Sequence, residues 1–498
     1  MGLLRVGIRV FAGVVGTILT LAAARAAEPD LSKMSGAELV AFTRAIPKGG
    51  ELHLHLSGSI YPETFLRWAV EDGLCVDTKA LSIVPACQPA GDLKAARDVL
   101  ADDVLRTALY DSLTTRKPGF ADRSPHDQFF TAFGRMGASP KRGGDMLALV
   151  MDGLAAQNTF YLEAMVTPQG GPSRMLGAQV GWRDDLAAQK AALTAAGLEK
   201  LVPTAIADTD AMEARARALL KCGTDEAQPG CGVVVRYLVQ TSRQTAPEQT
   251  FAQVQLGVAL IAADKRWVGI QLVAPEDHPV SLQHYRLHMR IIDFLTDHGR
   301  AAPAALHAGE LGYTYATPEE MSFHVSEAVR VAGAKRIGHG VAIAHENGAE
   351  ALAAELAAKG VLVEVNLTSN DVILGVNKET HPYAWLRARG VPTSFSTDDP
   401  GILRIDLSHE YARAAREGAT YGDLKASARN ALAFSFLPGE GLWLDPGRYR
   451  RPRSPCAGEV GKPSSRPGGC AALLAASEKA SQQFRLEHLL REFEKAGR

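Results

Sequence analysis

Eight short β-rich runs, separated by helix-like segments, govern what this chain can fold into. They are residues 50–55 (GELHLH), 159–166 (TFYLEAMV), 232–240 (GVVVRYLVQ), 267–274 (WVGIQLVA), 304–310 (AALHAGE), 336–340 (RIGHG), 361–368 (VLVEVNLT) and 391–399 (VPTSFSTDD). Several are almost unbroken apolar runs, as strands covered on both faces should be. Helical spacing marks residues 38–46 before the first run, and 281–299, 319–333, 348–360 and 383–390 before the later ones. Strands that alternate with helices in this way predict an α/β fold, a (β/α)8 TIM barrel. An open doubly wound sheet is the alternative, but no G-x-G-x-x-G follows the first run.

Two stretches exceed the minimal barrel. Residues 56–158 form a long excursion after the first strand, including SPHDQFFTAFGRM, expected as helices over the barrel mouth. Residues 410–498 add C-terminal helices around a basic Pro/Gly-rich loop, and the terminal segment has the apolar spacing of a helix that packs back on the body.

The first 26 residues read as a signal peptide. Arg5 and Arg9 precede a short apolar run at 10–24, and Ala24-Arg25-Ala26 is an A-x-A-like cleavage site. A membrane anchor needs about 20 apolar residues, more than this run holds. The expectation is therefore an exported chain, periplasmic or secreted, with residues 27–498 as one barrel domain and no membrane span. The six cysteines fall in local pairs, Cys75 with Cys87, Cys222 with Cys231 and Cys456 with Cys470, each bracketing a loop. An even count in an exported chain points to disulfides. Net charge of −1 and the lack of a basic stripe argue against nucleic acid as partner.

The chemistry collects where the runs end. The first ends in His53 and His55, the fifth in His307 and Glu310, the sixth in His339, the eighth in Asp398 and Asp399. On a strand, residues i and i+2 share a face, so His53 and His55 project together. A lone H-x-H is more often two polar residues on an edge strand. In a barrel, however, all strand ends meet at one catalytic face. Three histidines and a carboxylate suit one catalytic zinc with an open position, which assigns His53, His55, His307 and Asp398 as ligands. Glu310 is placed to move a proton, while His339 and Asp399 orient and polarise the attacking water.

Taken as a set, PKGGELHLHLSGS, HAGE, RIGHG and STDDP resemble the signatures of the adenosine deaminase family, within the metal-dependent amidohydrolase superfamily. The first of these and the leader are most similar to its exported, growth-factor-related branch. The resemblance runs from about residue 40 to 435. It implies one Zn2+ per chain held by His53, His55, His307 and Asp398. It further implies that Glu310 protonates purine N1, His339 assists the water and Asp399 contacts N7. The substrate it implies is a small purine nucleoside, adenosine or a related 6-aminopurine nucleoside, converted to the 6-oxo product plus ammonia. Substrate contacts would come from His55, Ser57, Ala274, Glu310 and Asp399. Two positions depart from the family pattern: Ser57 stands where an Asp usually meets the sugar 5′-hydroxyl, and Ala274 where a Gly offers its N–H to purine N3.

Two other readings remain. One is another mononuclear metal-dependent amidohydrolase, cleaving amide or ester bonds; binuclear members add a fourth-strand Lys, which WVGIQLVAPED lacks. The other is a non-catalytic adenosine-binding signalling protein, which the loss of Glu310 or a ligand would have favoured. The cytidine-type zinc deaminase pattern is absent.

Overall fold

The computed structural model describes Gly2 and residues 28–85, 87–117, 122–137, 140–465 and 467–497. The leader expected at 1–26 thus lies outside the described residues, Gly2 apart. Eight parallel strands form the barrel: β1 (Gly49–His55), β2 (Thr159–Val166), β3 (Val234–Ser242), β4 (Trp267–Val273), β5 (Ala305–Ala308), β6 (Arg336–His339), β7 (Leu362–Val365) and β8 (Thr393–Phe395). They pair in chain order as two four-stranded halves, β1 to β4 and β5 to β8. Two isolated parallel bridges join the halves, Leu54 with Asp398 and Ile270 with Ala304. The sheet closes.

The last two strands are shorter than their sequence runs. After Val365 the chain leaves the sheet and enters helix Leu367–Leu374. After Phe395 it returns to β1 only through the main chain of Asp398, which accepts from the His55 N–H (3.0 Å) and donates to the His53 carbonyl (2.9 Å). Ala274, His339 and Asp398 have φ of 83°, 64° and 62°. Side chains seldom adopt this left-handed backbone, and here it turns strand ends into loops at the one face that carries the chemistry.

The excursion holds more than helices. It contains a small antiparallel sheet of Cys75–Asp77, Ser82–Val84 and Leu93–Ala95 beside helices such as Pro62–Glu71 and Pro125–Phe133. The C-terminal helix Glu478–Lys495 does pack back: Leu486 and Leu490 join Leu52 and Tyr161 in one buried cluster under the barrel. Disulfides link Cys75–Cys87, Cys222–Cys231 and Cys456–Cys470, the three local pairs. Among the described residues no helix is long and apolar enough to cross a membrane.

Candidate functional site

At the C-terminal face of the barrel the side chains of His53, His55, His307 and Asp398 converge, one ligand atom from each lying within 4.8 Å of all the others. His55 Nε2 is 3.3 Å from His307 Nε2 and 3.2 Å from Asp398 Oδ1, and His53 Nε2 is 3.3 Å from the same oxygen. A tetrahedron with bonds of about 2.0–2.1 Å has edges of about 3.3–3.4 Å, so the spacing is that of four zinc-type ligands. Buried His53 Nε2 makes no hydrogen bond. These residues fit a metal ion.

The outward ring nitrogens explain the orientation. His53 Nδ1 donates to Glu364 Oε2 (2.7 Å) and His55 Nδ1 to Gln240 Oε1 (2.8 Å). Each acceptor holds the ring proton on Nδ1 and leaves the Nε2 lone pair facing the centre. Glu364 is in turn held by fully buried Arg336 (2.6 Å), which also pairs with Glu163 (2.6 Å). Asp398 accepts from Ser369 (2.6 Å). Gly338 of RIGHG leaves room for the His53 ring, since a Cβ there would sit 2.7 Å from it.

Glu310 is buried beside this cluster, 3.6 Å from His339 Nε2. Burial first, then the nearby Asp398 carboxylate, raises its proton affinity well above the usual carboxylate range. Its backbone is pinned: Glu276 accepts from the N–H groups of Gly309 (3.0 Å) and Glu310 (2.7 Å) and from His324 Nδ1 (2.5 Å). Asp399 is likewise raised by burial and by Asp398, and its Oδ1 has no partner. For both, burial favours the protonated form, in Glu310 against the pull of the buried Arg243 guanidinium 3.8 Å away.

A hydrogen-bond chain sets the His339 tautomer. The Tyr383 N–H donates to His381 Nδ1 (3.1 Å), so His381 carries its proton on Nε2 and donates to Asn370 Oδ1 (3.0 Å). The Asn370 amide then donates to His339 Nδ1 (2.8 Å), which leaves the His339 proton on Nε2, toward Glu310. Burial and the neighbouring histidines hold the ring neutral, its pKa near 3. His339 faces the site as a donor.

Above the cluster opens a cavity of about 720 Å³, within the ordinary range for a small-molecule site. His55, His307, Glu310, Asp398, Asp399 and Ala274 line it, as do Phe129, Phe130 and Phe133 from the excursion helix Pro125–Phe133. That helix does cover the barrel mouth. Ser57 is the exception. An unbroken strand would have placed it beside His55, but Leu56 turns helical (φ −57°, ψ −42°), and Ser57 is exposed and outside the cavity lining. The neighbouring Gly58 is buried instead, and Asp399 occupies the space that a Cβ there would need. Glu364, Gln240, Ser369, Asn370 and His381 escaped sequence reading. Only Glu364, a lone carboxylate in the apolar run VLVEV, carried a visible signal.

A family model described as adenosine deaminase matches residues 189–442. The adenosine deaminase of Serratia proteamaculans is 37% identical over 150 residues, 29% of this chain and 42% of that protein. The chain thus matches less than half the length of this relative. Among solved structures, the N6-methyl-AMP deaminase of Arabidopsis thaliana superposes with a TM-score of 0.51 at 21% identity, over 80% of this chain and 94% of that one. An amidohydrolase of Burkhoderia ambifaria with bound Zn superposes with a TM-score of 0.51 at 19% identity, over 82% and 90%.

Proposed function

The chain belongs to the adenosine deaminase family, and from that premise we propose that it is a hydrolytic deaminase of adenosine or a related 6-aminopurine nucleoside. The observation that carries this reading is the four-ligand cluster flanked by two buried carboxyl groups, Glu310 and Asp399, in one cavity. Purine N1 and N7 are both hydrogen-bond acceptors, so these carboxyls complement the ring in the protonated form that their burial favours. Three imidazoles and one carboxylate favour zinc, and the Burkhoderia ambifaria amidohydrolase carries Zn. When bound there, zinc supplies the Lewis acidity that makes water nucleophilic near neutral pH.

The chain's own residues do the rest. Glu310 delivers its proton to N1 as water adds to C6, which draws electron density out of the ring and favours the addition. His339, with its proton on Nε2, donates to the attacking oxygen and stabilises the charge that develops. The amino group takes up one proton released by the water and leaves as ammonia, and the proton left on the C6 oxygen returns to Glu310 as the 6-oxo group forms. Asp399 and the Ala274 backbone orient the ring, and the phenylalanines of Pro125–Phe133 exclude bulk water. Export to an oxidising compartment is part of this reading; the leader-like N-terminus and three disulfides support it.

Elemental analysis of purified protein together with ammonia release from adenosine tests the proposal. One equivalent of zinc and ammonia production that a chelator abolishes are expected. A requirement for two equivalents, or release of ammonia unaffected by metal removal, would refute it.

A further inference from the structure

One wall of the cavity is rich in hydrogen-bond donors and lacks protein acceptors for them. Thr167 directly follows β2, and Arg174 stands on helix Gly170–Val180, which starts four residues beyond that strand. Ser242 ends β3 and Gln244 follows it; all four line the cavity. Among the described residues the Arg174 guanidinium makes no hydrogen bond, ion pair or ring contact, and neither the Thr167 hydroxyl nor the Gln244 amide has a partner. The cavity also holds two acids, Asp127 and Asp277, and His126, itself in the lining, bridges them (3.0 and 3.2 Å).

A planar guanidinium is the side chain best matched to a phosphate, which it can grip through two parallel N–H bonds. Position matters as much as chemistry. The metal-ligand cluster is buried, whereas Arg174 is only partly buried and so sits nearer the mouth. A purine with C6 at the cluster directs N9, on the opposite side of the ring, toward that mouth. In that orientation the sugar's 5′ end would point toward the part of the lining that holds Arg174, Thr167 and Gln244. We propose that Arg174, with Thr167 and Gln244, forms a subsite for an anionic 5′ group, and that the preferred substrates are 6-aminopurine nucleoside 5′-monophosphates. This rests on the deaminase reading above and carries its substrate class from the nucleoside to the 5′-nucleotide.

The test compares AMP with adenosine in the zinc-loaded enzyme and in Arg174→Gln. The enzyme is expected to favour AMP in kcat/KM by at least about tenfold. Arg174→Gln should lower kcat/KM for AMP by roughly 10- to 100-fold more than for adenosine, the weight of charge-assisted hydrogen bonds. Arg174→Lys, which keeps the charge but not the fork, should recover part of the loss. A preference for adenosine, or an equal loss on both substrates, would overturn the subsite. Calorimetric binding of both compounds to Glu310→Gln, with and without Arg174→Gln, gives a readout independent of turnover. If neither compound yields ammonia but AMP binds tightly through Arg174, the deaminase reading fails and the subsite stands. Equal binding of both compounds overturns the subsite.

Discussion

Gly58→Ala is expected to cripple turnover without unfolding the protein. A Cβ on Gly58 would lie 1.5 Å from Asp399 Oδ1 and 2.5 Å from its carboxyl carbon, where real contacts begin near 3.0 Å. The carboxylate would therefore have to retreat by about 1.5 Å, or the Ser57–Ser59 turn would have to move with it. A misplacement of about 1 Å at a reacting centre can cost about 100-fold, and each tenfold is about 1.4 kcal/mol of barrier. A loss of at least about 100-fold in kcat/KM follows, roughly 2.7 kcal/mol. Steady-state ammonia release on zinc-loaded protein measures it, with circular dichroism and metal content as controls. Asp399→Ala supplies the decisive background, because it removes the oxygen that the new methyl would strike. If Gly58→Ala acts through Asp399, the two losses are strongly non-additive and the double variant resembles Asp399→Ala alone. Full additivity, or near-normal turnover in Gly58→Ala, would refute the reasoning.

Other expectations follow from the same geometry. Glu310→Gln should retain metal and substrate binding yet lose roughly 10²- to 10⁴-fold in kcat, since an amide cannot supply the N1 proton; near-normal turnover would mean another group protonates the ring. Asn370→Ala should release the His339 tautomer and lower kcat roughly 10- to 100-fold with metal content intact. Its ¹⁵N spectrum should show His339 protonated partly on Nδ1, and a spectrum unchanged from the parent would count against the relay. The three disulfides should each add on the order of 2–3 kcal/mol of stability in protein recovered from the export compartment; six free thiols in the denatured, unreduced protein would contradict this and weaken the case for export.

The barrel and its chemical face were legible in the residues. Strands covered on both faces must be apolar along their length, so the eight runs stand out, and their order leaves few topologies. The ends of those runs carry His53, His55, His307, Glu310, His339, Asp398 and Asp399, and closure brings them to one face. Strand limits were less legible, because the left-handed backbone at His339 and Asp398 leaves no mark in hydrophobic pattern. Ser57 shows the same limit: extending the period-2 strand by two residues aimed it at the metal, and one helical residue, Leu56, aimed it at solvent.

What the sequence determined by itself is whatever depends on neighbours a few positions apart: the periodicity of strands and helices, the H-x-H pair on one face, the local cysteine pairs. What only the tertiary structure decided is which distant groups meet. His53 is oriented by Glu364, 311 residues away, and His339 by Asn370 and His381 through a chain that begins at one backbone N–H. Such partnerships depend on the register between strands and on the packing of helices across the barrel mouth. Those are set by the burial of the whole core, which no short stretch of residues encodes.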